Sequence, residues 1–170
     1  ALEGTHIHYH VKDPDIFAGK RLIVFGGGDS ALDWALALGP KAAALTLVHR
    51  RDEYRAAPAS VALLKERAAR GEVKLVELAN PTALRTDGSS LTGVEVTTKA
   101  GDSEMLDADH ALVFYGLSPK LGPIANWGLE FNKKTIVVDT EKFQSNIPGV
   151  FAIGDICDYP GKKKIGRAHV

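Results

Sequence analysis

The sequence predicts a three-layer α/β fold in which a parallel sheet is joined by an antiparallel β-meander. Three observations carry this. Arg21-Leu22-Ile23-Val24-Phe25 is almost wholly apolar, the pattern of a strand buried on both faces of a parallel sheet. It passes through Gly26-Gly27-Gly28 into the alanine- and leucine-rich stretch from Ser30 to Leu38, which Gly39 and Pro40 stop as a helix. Strand, tight turn, helix, strand, helix and strand then fill the first 75 residues, the order of a doubly wound sheet.

The elements follow in order. Thr5 to Val11 alternates His6, His8 and His10 with Ile7, Tyr9 and Val11, a strand period of two. Asp13 and Pro14 turn the chain towards the first buried strand. Ala44 to Val48 is a second apolar strand, and a helix from Pro58 to Arg70 has proline in its first turn and Gly71 as its stop. After Val76 the pattern changes. Leu75 to Leu84, Leu91 to Lys99 and Ser103 to Leu106 read as strands joined by turns at Asp87-Gly88 and Ala100-Gly101, an antiparallel meander. Ala111 to Tyr115 is expected to rejoin the parallel sheet. Gly116 to Asn132 reads as loop with a short helix, and Thr135 to Val138 and Val150 to Ile153 as two further strands.

Composition narrows the function. With 45% hydrophobic and 25% charged residues, the 170-residue chain is ordinary for a globular domain. Its 21 basic side chains balance 21 acidic ones, so no global field recruits nucleic acid or an anionic membrane. No apolar run approaches the length of a membrane span, and no secretory signal opens the chain. The single cysteine, Cys157, has no internal disulfide partner, which fits a cytoplasmic, reducing setting. Met105 is the only methionine, so the chain is expected to be a processed or excised piece. Lys162-Lys163-Lys164 reads as a solvated end.

Gly26-x-Gly28-x-x-Ala31 sits between a buried strand and a helix, the context that gives a glycine fingerprint meaning. Gly26 permits the tight turn, Gly28 lets a pyrophosphate approach the backbone, and Ala31 lets helix and strand pack closely. The anion would rest on the amides from Gly27 through Asp29 and Ser30 to Ala31, at the positive end of the helix. Asp29 must therefore turn its carboxylate away from the phosphates or cap the helix. A dinucleotide-binding, Rossmann-like fold follows, with a plain structural turn as the alternative.

The end of the second strand selects the coenzyme. A carboxylate there would bind the ribose 2′-hydroxyl of NAD, but here His49-Arg50-Arg51 follows, with Arg55 one helical turn beyond Arg51. Guanidinium groups clamp a 2′-phosphate with paired donors. The expected ligand is NADP(H), bound by Arg50, Arg51 and Arg55, with His49 against the adenine or ribose. The alternative is a surface charge cluster, since Asp52 and Glu53 adjoin it.

The turn Gly26-Gly27-Gly28-Asp29-Ser30-Ala31, with His49-Arg50-Arg51-Asp52-Glu53-Tyr54-Arg55-Ala56, resembles the NADPH domain of thioredoxin reductase-like flavoenzymes. Val113-Phe114-Tyr115-Gly116-Leu117-Ser118-Pro119 is similar to the family's strand-Gly-x-x-Pro motif, and Pro148-Gly149-Val150-Phe151-Ala152-Ile153-Gly154-Asp155 to its second flavin motif. The resemblance implies that Gly116 lines the nicotinamide side. It also implies that Gly154 and Asp155 belong to a FAD site, with Asp155 on the ribityl chain. It makes residues 4–120 an NADP-binding domain and 121–170 a return segment towards a FAD domain that is mostly absent. Small bacterial thioredoxin reductases carry a Cys-x-x-Cys pair just before the glycine turn, and residues 1–25 contain no cysteine. The chain is therefore most similar to thioredoxin reductase-like ferredoxin–NADP reductases. These pass a hydride between NADP(H) and FAD and then single electrons to ferredoxin or a similar carrier, and the parent enzyme is expected to be a homodimer. No side chain need act as acid, base or nucleophile, because the flavin carries the chemistry. Gly166 to Val170 does not match the family continuation.

Other readings compete. The parent could be a thioredoxin reductase-type or other NADPH-dependent flavin reductase, or this chain could be a non-catalytic NADP sensor. Gly28-Asp29-Ser30 with Asp107 and His110 superficially matches serine esterases, with Ser30 as nucleophile and His110 as base. Ala31 replaces the leucine of that signature, and no Gly-x-Asn-Asp segment occurs. His6, His8 and His10 would share a strand face and could hold zinc, but an exposed strand face is the expected reading and no metal is assigned.

Overall fold

The computed structural model describes residues 2–116 and 120–160. The chain forms two compact units, residues 1–116 and 117–170. In the first, the strands are β1 (Ile7–His8), β2 (Arg21–Phe25), β3 (Ala44–His49), β4 (Lys74–Glu77), β5 (Ala79–Asp87), β6 (Ser90–Thr98), β7 (Ser103–Asp107) and β8 (His110–Val113). Helix α1 (Asp29–Leu38) follows β2, and α2 (Pro58–Ala69) follows β3. The order β1-β8-β2-β3-β4 makes a five-stranded sheet, parallel throughout, and β5-β6-β7 a separate antiparallel sheet.

The three layers follow from the pleat, which sends alternate side chains to opposite faces. On one face Leu22, Val24, Leu45, Leu47 and Leu112 pack with Ala31, Leu32, Ala35 and Leu38 of α1 and Leu64 of α2. On the other, Ile23, Phe25, Val48 and Ala111 meet Val94, Val96 and Leu106 of the meander. A strand covered on both sides must be apolar at every position. That is why Leu22 to Phe25 has no polar residue.

Three sequence expectations are corrected. The opening strand is only Ile7–His8, because the amides of Thr5, His6 and Ile7 all donate to the Leu2 carbonyl and curl the preceding residues into a turn. Leu75 to Leu84 is not one strand. β4 belongs to the parallel sheet, Leu78 takes a left-handed φ of 57°, and the chain leaves for the meander as β5. Val150 to Ile153 is not a strand either: Phe151 makes only an isolated bridge to Gln144, and Phe151 and Ile153 are exposed. The second unit instead pairs β9 (Phe131–Asn132), β10 (Thr135–Val137) and β11 (Cys157–Asp158). Leu129, Ile136, Val138, Ala152 and Cys157 fill its core. Among the described residues no helix is long and apolar enough to cross a membrane.

Candidate functional site

Parallel pairing places the C-terminal ends of β2, β3, β4 and β8 along one edge, with Phe25 opposite both Val48 and Val113, and His49 opposite Glu77. The glycine turn, the arginine loop and the Phe114-Tyr115-Gly116 segment all leave from this edge.

Gly26 adopts φ 144°, and a Cβ there would lie 2.5 Å from the Phe114 carbonyl oxygen and 2.9 Å from the Ala31 Cβ. Only glycine lets β2, β8 and α1 converge at this point. A Cβ on Gly27 would overlap the His49 ring, whereas one on Gly28 would meet nothing within 4 Å. The turn is thus closed from below and open above. Gly28 caps α1 without a side-chain hydrogen bond. Its carbonyl accepts from Ala31 and Leu32, while the amides of Gly28, Asp29 and Ser30 have no acceptor among the described residues. Unpaired amides at the start of a ten-residue helix suit an anion. The Asp29 carboxylate is not in the way, since it accepts from the Ala57 amide at 2.8 Å and so ties α1 to the start of α2.

The arginine loop folds back onto this turn. The Arg55 amide donates to the Gly27 carbonyl at 2.7 Å. His49, half-buried, shares a 3.1 Å hydrogen bond between its Nε2 and the Glu53 carbonyl, and its ring stacks on Tyr54 with centroids 5.3 Å apart. The Tyr54 hydroxyl donates to Glu77 Oε1 at 2.8 Å. Burial lowers the His49 pKa, and Arg50 and Arg51 add to this. The ring is therefore neutral near pH 7. Burial, with help from Glu77, pushes the Tyr54 phenol far up.

The guanidiniums separate into two groups. Arg21 pairs with Asp109, Arg67 with Glu72, Arg70 with Glu66 and Glu72, and Arg85 with Asp107. Arg50, Arg51 and Arg55 are exposed and have no ion pair among the described residues, although Asp52 and Glu53 adjoin them in sequence. Three cations without an ion partner, on a loop that the Arg55 amide ties to the glycine turn, are chemically suited to receive an anion. On its other flank Tyr115 is 64% exposed, with its ring 6.4 Å from Phe25, and Arg50 acts on its phenol. Gly116 follows with φ 86° and open space around it.

Gly154 and Asp155 are in the second unit, where Gly154 (φ 85°) opens a three-residue 3-10 turn and Asp155 is exposed. Leu117, Ser118 and Pro119 of the Gly-x-x-Pro motif, and the lysines and final residues of the tail, lie outside the described residues. The esterase arrangement fails: Ser30 is at the C-terminal edge of the sheet, while His110 begins β8 opposite Leu22 and shares a 3.1 Å hydrogen bond with His8. The histidine face also changes composition. His6 and His8 gather about His110 rather than His10, with ring centroids 5.3 and 5.2 Å from that of His110, and among the described residues no group of three or more His, Cys, Asp or Glu side chains is placed to hold a metal ion. Sequence reasoning assigned no role to Tyr54, Glu77 or Tyr115. Glu77 could have been found as the carboxylate that ends the third parallel strand, had that strand been bounded correctly.

Comparison with known proteins decides the family. The family model described as pyridine nucleotide-disulphide oxidoreductase matches residues 3–170. The chain belongs to that family. Its members are flavoenzymes that use FAD and a pyridine nucleotide. Within the family, the chain is 51% identical to the ferredoxin–NADP reductase of Methylibium petroleiphilum, over 96% of this chain and 46% of that protein. It is 53% identical to ferredoxin–NADP reductase 2 of Cupriavidus pinatubonensis, over 96% of this chain and 44% of that protein. It therefore spans somewhat under half the length of these reductases. Among solved structures, thioredoxin reductase of T. acidophilum superposes with a TM-score of 0.81 at 26% identity, covering 92% of this chain and 51% of that one. That of Lactococcus lactis gives 0.80 at 25% identity, covering 95% and 53%.

Proposed function

We propose that this chain is the NADP(H)-binding part of a ferredoxin–NADP reductase of the thioredoxin reductase-like kind. The observation that carries the coenzyme assignment is the set of unpaired guanidiniums of Arg50, Arg51 and Arg55 beside the open amides of the Gly26–Ala31 turn. A 2′-phosphate brings the charge those cations lack, and a carboxylate at the end of β3 would have repelled it. The pyrophosphate rests on the amides of Gly28, Asp29 and Ser30, and Gly26 and Ala31 provide the close packing behind them. His49 supports the adenosine side, and Gly116 the nicotinamide side. In the whole reductase a flavin takes the hydride and releases single electrons to ferredoxin. The task of these residues is to bind and orient the nucleotide.

Two facts support the reductase over a dithiol enzyme. Identity to ferredoxin–NADP reductases is 51–53%, against 25–26% to the thioredoxin reductase structures. The Cys-x-x-Cys pair that small thioredoxin reductases carry just before the glycine turn also has no counterpart in residues 1–25 of this chain, whose one cysteine is Cys157. We read residues 4–120 as the NADP-binding domain and 121–170 as the return towards a FAD domain. Gly154 and Asp155 are this chain's share of a flavin site, with the Asp155 carboxylate as the group that would meet a ribityl hydroxyl.

Calorimetry of the purified chain tests the reading. A charge-assisted contact is worth about 1.5–3 kcal/mol, so NADPH should bind roughly tenfold to a few hundredfold more tightly than NADH. Arg50→Ala should erode that preference and leave NADH nearly unaffected. Equal affinities in the unmutated chain would overturn the assignment.

A further inference from the structure

The anion surface has a carboxylate at its edge that the structure keeps occupied. Glu77 ends β4 directly opposite His49 in the parallel register, and its charge acts on the His49 ring. A carboxylate so close to a phosphate site works against binding. Glu77 does not pair with any of the three free arginines; its Oε1 accepts the Tyr54 hydroxyl at 2.8 Å. The same Tyr54 ring stacks on His49, 27° from parallel, and the His49 ring packs where a Gly27 Cβ would stand. One tyrosine therefore joins the last residue of β4, the last residue of β3 and the glycine turn. Its neighbours in sequence, Glu53 and Arg55, tie the same loop down through the Glu53 carbonyl bonded to His49 Nε2 and the Arg55 amide donating to Gly27.

Resting on the NADP(H) reading above, we propose that Tyr54 and Glu77 are positioning residues for coenzyme specificity: the Tyr54 hydroxyl holds the Glu77 carboxylate away from the 2′-phosphate surface while its ring clamps His49 under the glycine turn. Neither residue touches the nucleotide in this account. Tyr54 acts through His49 and the loop that bears Arg50, Arg51 and Arg55, and Glu77 acts by where its charge is kept. The carboxylate is retained because the hydroxyl needs an acceptor. A buried phenol without one pays the desolvation of its polar group, and Tyr54 is half-buried.

The pair makes a prediction that a merely stabilising contact does not. Tyr54→Phe keeps the ring stack and frees the carboxylate. NADPH affinity should fall about threefold to tenfold, the range of one hydrogen bond's net worth, with NADH affinity unchanged. Glu77→Gln in the Tyr54→Phe background removes the freed charge and should restore at least half of the lost preference. Glu77→Gln alone keeps an acceptor for the hydroxyl and should leave the preference within about twofold. All four proteins are titrated with NADPH and NADH by calorimetry, with melting temperature as the control for folding. A Tyr54→Phe protein that loses NADPH and NADH affinity equally, or that is not rescued by Glu77→Gln, overturns the inference and leaves the coenzyme assignment standing. An unmutated chain without NADPH preference overturns both. Should Tyr54→Phe fail to fold, Glu77→Asp in the otherwise unmutated chain decides: the shorter carboxylate draws back from the hydroxyl and keeps its charge, so a selective loss of NADPH affinity supports the inference and an unchanged preference overturns it.

Discussion

Gly26 and Gly154 share a local pattern, each a glycine with positive φ leading from an apolar run into helical backbone. Their surroundings differ. Gly26 opens onto ten residues of α1, with His49 beneath the turn, open space above Gly28 and three unpaired guanidiniums beside it. Gly154 opens onto three residues of 3-10 turn. A helix supplies its positive end through aligned peptide dipoles and unsatisfied amides, and three residues align too few of them. The contrast teaches that what a glycine turn can offer an anion comes from the helix behind it and the cations beside it, not from the glycine alone.

The sharpest way to break this comparison is to offer the 170-residue chain both nucleotides. It should bind NADPH and retain no FAD, because the flavin pyrophosphate would need a second helix start of the α1 kind. The contribution of Asp155, one hydrogen bond, is about 0.5–1.5 kcal/mol, against the roughly 4 kcal/mol of even a millimolar complex. The protein should purify colourless, and a yellow protein with stoichiometric FAD would refute the contrast. Next in size is a substitution at each turn. Gly26→Val forces a side chain onto the Phe114 carbonyl and should weaken NADPH binding about 10- to 100-fold, matching an overpacking cost of about 1–3 kcal/mol. Gly154→Ala should leave NADPH affinity unchanged.

Acid should separate the units more gently. Among the described residues every histidine lies in the first unit. Burial lowers the pKa of His8 and of His110 below the ordinary 6.5. The unfolded chain therefore binds more protons than the folded one just below that value. Their contribution to stability is complete above pH 6.5 and is lost as pH falls towards the lowered folded values. Hydrogen exchange should show β1 and β8 losing protection between about pH 7 and 5.5, while β10 keeps its own. Equal loss in both units would contradict this. The smallest effect is expected from Cys157→Ser, which alters the core of the second unit and should not change NADPH affinity. A large change would mean that the nucleotide site has been misplaced.

What the sequence by itself determined is what is local. The all-apolar run from Leu22 to Phe25 prescribes a strand covered on both faces. The glycine spacing and Ala31 prescribe a turn packed against a helix, and the arginines directly after His49 are carried to the turn's edge by parallel pairing. Each inference needs only a few residues of chain and the geometry of one element. Tertiary structure decided the pairings across the chain. Tyr54 meets Glu77 over 23 positions, Asp29 meets the Ala57 amide over 28, and His8 meets His110 over 102. Such partners leave no spacing rule in the sequence, because separation along the chain does not set separation in space. The break at Leu78 was hidden for a related reason. A non-glycine residue takes a left-handed φ only when the structure on both sides requires it, here the parallel sheet before it and the meander after it. No turn residue at that position announces it.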